Sequence, residues 1–254
     1  MSGIYRVRPA NDYTIDELKN SYLWFSRPIG FKGDVNDANI GAFITDTDAI
    51  KRGIDYCIPD FPYKSWYERM GHTGICCFTS EMPDSKTIKK FPKCTKSQCL
   101  CIEYNKEMLE EFFLNHKSYP IYPCFNPVVY DTNPTKLETC DDWSILWQKD
   151  ENGSLYKTIP GILYEHPREC DTFMRMLLTR ISSKFSVQKE ERIILGGCNI
   201  PSHDNDLLGY SIPIPENAIN KIAIYPNVEE DYIDQLKEIT SIKNKIVLLK
   251  KNRA

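Results

Sequence analysis

Val187-Gln188-Lys189-Glu190-Glu191-Arg192-Ile193-Ile194-Leu195, closing on Gly196-Gly197, decides how this chain is read. The apolar far end and the glycine pair predict a strand running into a turn. Successive strand side chains point to opposite faces, so Gln188, Glu190 and Arg192 would line one face and Lys189 and Glu191 the other. A row of amide, carboxylate and guanidinium beside a buried Ile-Ile-Leu has two readings. It faces water at a sheet edge, with Glu190 a mere partner of Arg192, or it lines a cleft where a carboxylate is held for chemistry.

Working outward, alternation predicts strands at Ile4–Arg8, ended by Pro9, and at Tyr22–Ser26, ended by Pro28. Further strands fall at Gly74–Ser80, Leu100–Tyr104, Val128–Tyr130, Tyr210–Ile214, Lys221–Tyr225 and Lys245–Leu249. Thr14-x-x-Glu17 has the form of a capping box and predicts a short helix. Asn105 is placed to cap a helix over 106–116, with Met108, Leu109, Phe112 and Phe113 at helical spacing. The longest helix is expected from about Arg168 to Ser182, another over Glu229–Thr240, and weaker ones over 37–53 and 62–70. Residues 29–39 and the basic stretch Lys86–Lys96, broken by Pro92, read as loops. Strands and helices interleave without a regular βαβ repeat, which predicts an α+β fold in one domain spanning 1–254.

Length and charge narrow the function. With 254 residues, a net charge of −3 and 26% charged side chains, the chain has an ordinary globular profile and no bulk attraction for nucleic acid. Without a spanning apolar run or a signal-peptide core, a cytoplasmic protein with no membrane partner is expected. Ten cysteines are numerous, but most sit in strand-like apolar settings that suggest packing rather than a disulfide framework. The tightest cluster, Cys94-x4-Cys99-x-Cys101, lacks the Cys-x2-Cys knuckle of a structural zinc site, and no metal is expected. The dinucleotide and P-loop glycine motifs, the Gly-x-Ser-x-Gly elbow and the His-Glu-x-x-His helix are all missing.

What remains is polar groups at strand ends: Arg6 and Arg8 on one face of the first strand, Thr79 and Ser80 ending a middle strand, and Gln188 and Glu190 on a late one. Arginine suits bidentate grip of a diphosphate, and hydroxyls can position a ribose. A carboxylate can stabilise cationic charge developing at a sugar carbon. Taken singly, each also has a plain structural reading, as edge charge, turn former or ion-pair partner.

In Tyr5-Arg6-Val7-Arg8, Leu23-Trp24-Phe25-Ser26-x-Pro28, Ile75-Cys76-Cys77-Phe78-Thr79, Cys101-Ile102-Glu103-Tyr104 and Gln188-x-Glu190-x-Arg192, the chain resembles a bacterial domain-of-unknown-function family numbered twenty-nine seventy-one. That family is in turn similar to mono-ADP-ribosyltransferases, including toxins that modify DNA or RNA bases. The resemblance implies a central mixed, mostly antiparallel sheet flanked by helices, and NAD as substrate. It would place the NAD pyrophosphate or ribose on Arg8 or Arg6, the nicotinamide ribose on Thr79 and Ser80, and the oxocarbenium-like transition state on Glu190. Gln188 would face the acceptor, a nucleic acid or a protein, in phage defence or a toxin system. The chain departs from the family where Gln188 replaces a glutamate, in the 31–37 turn, and at Phe91–Lys96, where relatives have Trp-x-His-Tyr. That last loss, with the lysines of 86–96, leaves a second function open: a silent module of the same fold that binds a protein or nucleic acid.

Overall fold

The computed structural model describes residues 2–27, 37, 73–91, 94, 98–117, 120, 123–131, 148–149, 155–156, 175, 178–196 and 208–250. Its strands are β1 (Gly3–Pro9), β2 (Tyr22–Ser26), β3 (Gly74–Thr79), β4 (Cys99–Asn105), β5 (Asn126–Pro127), β6 (Val129–Asp131), β7 (Gln148–Lys149), β8 (Leu155–Tyr156), β9 (Arg180–Ser182), β10 (Glu190–Leu195), β11 (Gly209–Pro213), β12 (Ile219–Ile224) and β13 (Ile246–Leu248). Among the described residues, the helices with both ends placed are α1 (Asp12–Lys19), α2 (Lys106–Leu114) and α3 (Glu230–Glu238). The fold is α+β. One large sheet runs β11-β2-β3-β1-β4-β12-β13, with β10 added on β3 and β5 on β10. Its pairings are antiparallel except β12 with β13.

The sheet forks at β3. Strand β10 occupies one whole edge of β3, Glu190 opposite Thr79 through Leu195 opposite Gly74. The other edge is shared: β2 meets it at Ser26–Ile75 and β1 at Tyr5–Thr79. Between these two points β1 and β2 diverge.

Alternation gives the sheet two unlike faces. One carries Ile4, Phe78, Ile102, Tyr104, Ile193 and Ile222, and these three helices pack on it through Leu18 of α1, Leu109 and Phe113 of α2, and Ile233 and Leu236 of α3. Each such fully buried aliphatic or aromatic side chain contributes roughly 1.5–3 kcal/mol. The other face carries Tyr5, Cys77, Thr79, Glu190 and Arg192, whose rows follow from the register. Part of it is covered by a smaller cluster of Ile88, Cys94, Cys99, Cys101, Ala223 and Tyr225.

Several expectations need correction. The strand over 187–195 starts only at Glu190. Before it, Ser183–Gln188 forms a 3-10 helix, and Lys189 turns the chain in the left-handed region at φ 43°. Gln188 therefore does not share a strand face with Glu190. Helix α1 starts earlier than the capping box implied: Asn11 is the N-cap, its Oδ1 accepting from Thr14 N–H at 3.1 Å. Thr14 instead donates its hydroxyl to the Pro9 carbonyl at 2.7 Å. Arg180–Ser182, expected as the end of the longest helix, is strand β9, pairing in parallel with β6. The start of that helix, the helices over 37–53 and 62–70, and the 29–39 loop apart from Asp37 lie outside the described residues. Asn105 caps α2 as expected, accepting from Met108 N–H at 3.1 Å. The cysteines are not all unpaired: Cys94 and Cys99 form a disulfide. Their Cα atoms lie 5.9 Å apart, within bridging range.

Candidate functional site

Glu190 sits at a point of backbone strain. The 3-10 helix ends in left-handed Lys189, one of two non-glycine residues with positive φ among those described. Such a conformation persists only where its surroundings enforce it, and here Ser80 does so. Both the Ser80 N–H, at 3.0 Å, and its hydroxyl, at 3.3 Å, donate to the Lys189 carbonyl. The Lys189 ammonium reaches Glu81 at 2.6 Å. The next residue, Glu190, enters β10 with its N–H donating to the Tyr130 hydroxyl at 2.6 Å and its carbonyl accepting from Val128 N–H at 2.9 Å.

The Glu190 carboxylate is nearly buried and tightly held. Arg192 Nε donates to its Oε1 at 2.7 Å. The same guanidinium donates to both oxygens of Asp37, at 2.7 and 2.9 Å, and to the Leu178 carbonyl at 2.6 Å. Arg192 is 1% exposed. Burial works against its charge, but Glu190 and Asp37 outweigh it and raise its pKa. One cation thus serves two carboxylates, a geometry only the planar guanidinium fork supports.

Cys77 lies on the same face, opposite Arg192 in the register. Burial, then the Glu190 carboxylate, push its thiol pKa well up. Burial does the same to Cys76, to about 11, and to Cys101 and Cys124, each to about 12. Thiols pushed up by burial in this way stay protonated at neutral pH, which leaves little thiolate for attack. Native protein exposed to iodoacetamide at pH 7 should leave all four unlabelled by peptide mass mapping, with labelling appearing only after unfolding.

The structure brings some of the candidate residues together and separates others. Thr79 is directly opposite Glu190 across the β3–β10 pair, with its hydroxyl donating to the Glu81 carbonyl at 3.0 Å. Ser80 braces the turn into Glu190, and Gln188 ends the helix before that turn. Arg6 and Arg8 are elsewhere. Tyr5 is the β1 residue in the Thr79–Glu190 row, so its neighbour Arg6, and Arg8 two further on, point to the opposite face. There both meet Glu17 of α1, Arg6 through a hydrogen bond to Oε1 and Arg8 through an ion pair at 2.8 Å. Arg6 Nη2 also donates to the Trp24 carbonyl at 3.1 Å, across the gap where β1 and β2 diverge. Burial and the adjacent Arg6 charge pull the Arg8 pKa down.

The sequence did not reveal Glu17, Asp37 or Tyr130. Glu17 had a signal, a glutamate inside an amphipathic helix, but it was consistent with capping. Among the described residues no group of three or more His, Cys, Asp or Glu side chains is arranged to hold a metal ion. No helix there is long and apolar enough to cross a membrane. No family model, curated protein or solved structure matches the chain.

Proposed function

We propose that the chain is a mono-ADP-ribosyltransferase of that toxin-like fold, transferring ADP-ribose from NAD to a macromolecular acceptor, with Glu190 as its working carboxylate. One observation supports this best. Glu190 follows directly on a strained, braced turn, opposite Thr79 in the register, with its carboxylate paired to a buried arginine that it shares with Asp37. Strain held in place by neighbouring bonds is typical of working sites. A pre-oriented carboxylate in a water-poor setting is what a developing oxocarbenium ion requires. In the reaction the bond from ribose C1′ to the nicotinamide nitrogen breaks, nicotinamide leaves with the bonding pair, and an acceptor nucleophile bonds to C1′. Glu190 would stabilise the cationic carbon while Thr79 positions the ribose. Ser80 would act through the Lys189 turn, and Gln188, one turn before the acid, would face the acceptor. The pyrophosphate role that the resemblance gives Arg6 or Arg8 has weaker support, since both are held by Glu17 on the other face.

A second reading has its own observation. Arg6, Arg8 and Glu190 all have partners inside the protein, as a catalytically silent binding module of the same fold would have them. One pair of experiments separates the two. With labelled NAD and host extract, Glu190→Gln should lower label transfer and nicotinamide release a hundredfold or more, about 2–4 kcal/mol of barrier. Equal, absent activity in wild type and variant would end the transferase reading. If instead charge reversal at Lys89 and Lys90, with a salt-dependent loss, abolishes capture of a nucleic acid, the binding module stands.

A further inference from the structure

We propose that the outer edge of β13 docks an extended segment of a partner protein, flanked by carboxylates, which joins the large sheet as a further strand. β13 ends that sheet, pairing in parallel with β12, and no strand lies beyond it among the described residues.

Its backbone is only half used. Leu249 N–H donates to the Ile224 carbonyl at 2.9 Å, and in a parallel ladder this turns the backbone groups of Val247 and Leu249 toward β12. The N–H and C=O groups of Ile246 and Leu248 therefore point outward, an open template for an added strand. The side chains fit the same picture. Ile246 packs on the main core and Leu249 on the smaller cluster, so the strand is anchored from both faces. Between these anchors Val247 is 40% exposed and Leu248 57%, on opposite faces of the edge. An incoming strand would cover both.

Charge selects the occupant. Lys243 and Lys245 precede the strand, Lys250 follows it, and Lys251 and Arg253 come next in the sequence. Among the described residues, none of Lys243, Lys245 and Lys250 makes an ion pair; the Lys245 ammonium donates to the Glu216 carbonyl at 3.1 Å. Lys106, Lys189 and Lys237, by contrast, each hold a carboxylate, at 2.6, 2.6 and 2.8 Å. Lysines at an edge refuse a like edge. A second copy, in either direction, would set lysine-bearing ends side by side. Carboxylates at both ends of an incoming strand meet ammoniums instead. Lys245 and Lys250 stand roughly 17 Å apart along an extended chain, so the carboxylates should flank a short run of apolar or β-branched residues. Three strand residues offer few hydrogen bonds, so the charges are needed for affinity and salt should weaken it.

NMR titration of the full chain with the end-capped peptide Asp-Glu-Val-Thr-Val-Thr-Glu-Asp tests the proposal. The amides of Ile246 and Leu248 should shift and gain hydrogen-exchange protection, while those of β3 and β10 stay unchanged. The same peptide with lysine in place of its four acids should bind at least about tenfold more weakly, a gap that high salt narrows. Lys243→Glu combined with Lys250→Glu should reverse the preference. Leu248→Pro removes the outward N–H, leaves the inner ladder intact and should abolish binding. If that variant does not fold, the charge reversal at two exposed lysines decides. No shift at Ile246 and Leu248 with millimolar acidic peptide, or equal binding of the two peptides, would overturn the proposal. So would protection of Leu248 in the chain alone: if it grows with protein concentration the occupant is a second copy, and if it does not, a segment of the chain itself.

Discussion

Glu17→Ala is expected to remove about 3–5 kcal/mol of folding stability, because it strands the buried Arg6 guanidinium and the partly buried Arg8 one beside it. Arg6 is 6% exposed and Glu17 1%, so little water can replace the lost carboxylate. The cation cluster sits where β1 and β2 diverge from β3, and Arg6 there also caps the Trp24 carbonyl. Losing the anion would repel the two arginines and open the fork that joins the sheet's halves. Urea unfolding should show the midpoint fall with an unchanged slope. Glu17→Gln, which keeps a hydrogen-bond acceptor but no charge, should fall between wild type and alanine. If Glu17→Ala costs under about 1 kcal/mol, the cluster is water-screened and the buried reading of its geometry fails. The result also bears on function. A loss confined to stability would mark Arg6 and Arg8 as structural, whereas a loss of NAD affinity in a variant that stays folded would restore their reading as pyrophosphate ligands.

What the sequence disclosed follows the range of the forces involved. Strands β1, β2, β3 and β4 and the Asn105 cap were legible because alternation and capping act over a few residues. The turn into Glu190 was not. Lys189 has none of the glycine or asparagine signal that marks a left-handed residue, and its conformation rests on Ser80, 109 residues away. Glu17 looked like a capping partner because it follows Thr14 by three. Its inward direction is set by Arg6 and Arg8, tertiary partners that spacing cannot reveal. The disulfide was hidden for the same reason: five residues of separation allow bridging or plain packing, and the path of the connection decides. For the site, adjacency of Thr79 and Glu190 is a matter of register, while the placement of Arg6 across the sheet follows from which β1 residue faces Thr79.

Arg192→Met is expected to cost about 3–5 kcal/mol, and its pattern of coupling tells what Arg192 is for. Methionine fills most of the arginine volume, so the loss reflects charge and hydrogen bonds rather than a cavity. Without the guanidinium, Glu190 and Asp37 are left as two carboxylates on one buried spot, and the Leu178 carbonyl loses its donor. Pairing the change with Glu190→Gln should return part of the loss, a coupling of roughly 0.5–3 kcal/mol by double-mutant cycle, since one of the stranded charges is gone. Arg192→Lys keeps the charge but cannot reach Glu190, both Asp37 oxygens and the Leu178 carbonyl at once, so it should stay folded with a smaller loss. In that folded variant the Glu190 carboxylate is no longer fixed. Under the transferase reading, nicotinamide release should then fall by more than the stability change explains, with kcat affected rather than KM, because the interaction at stake forms in the transition state. A lysine variant with wild-type turnover would make the Asp37–Arg192–Glu190 network a packing device, and would leave Glu190 without the pre-orientation on which the proposed chemistry depends.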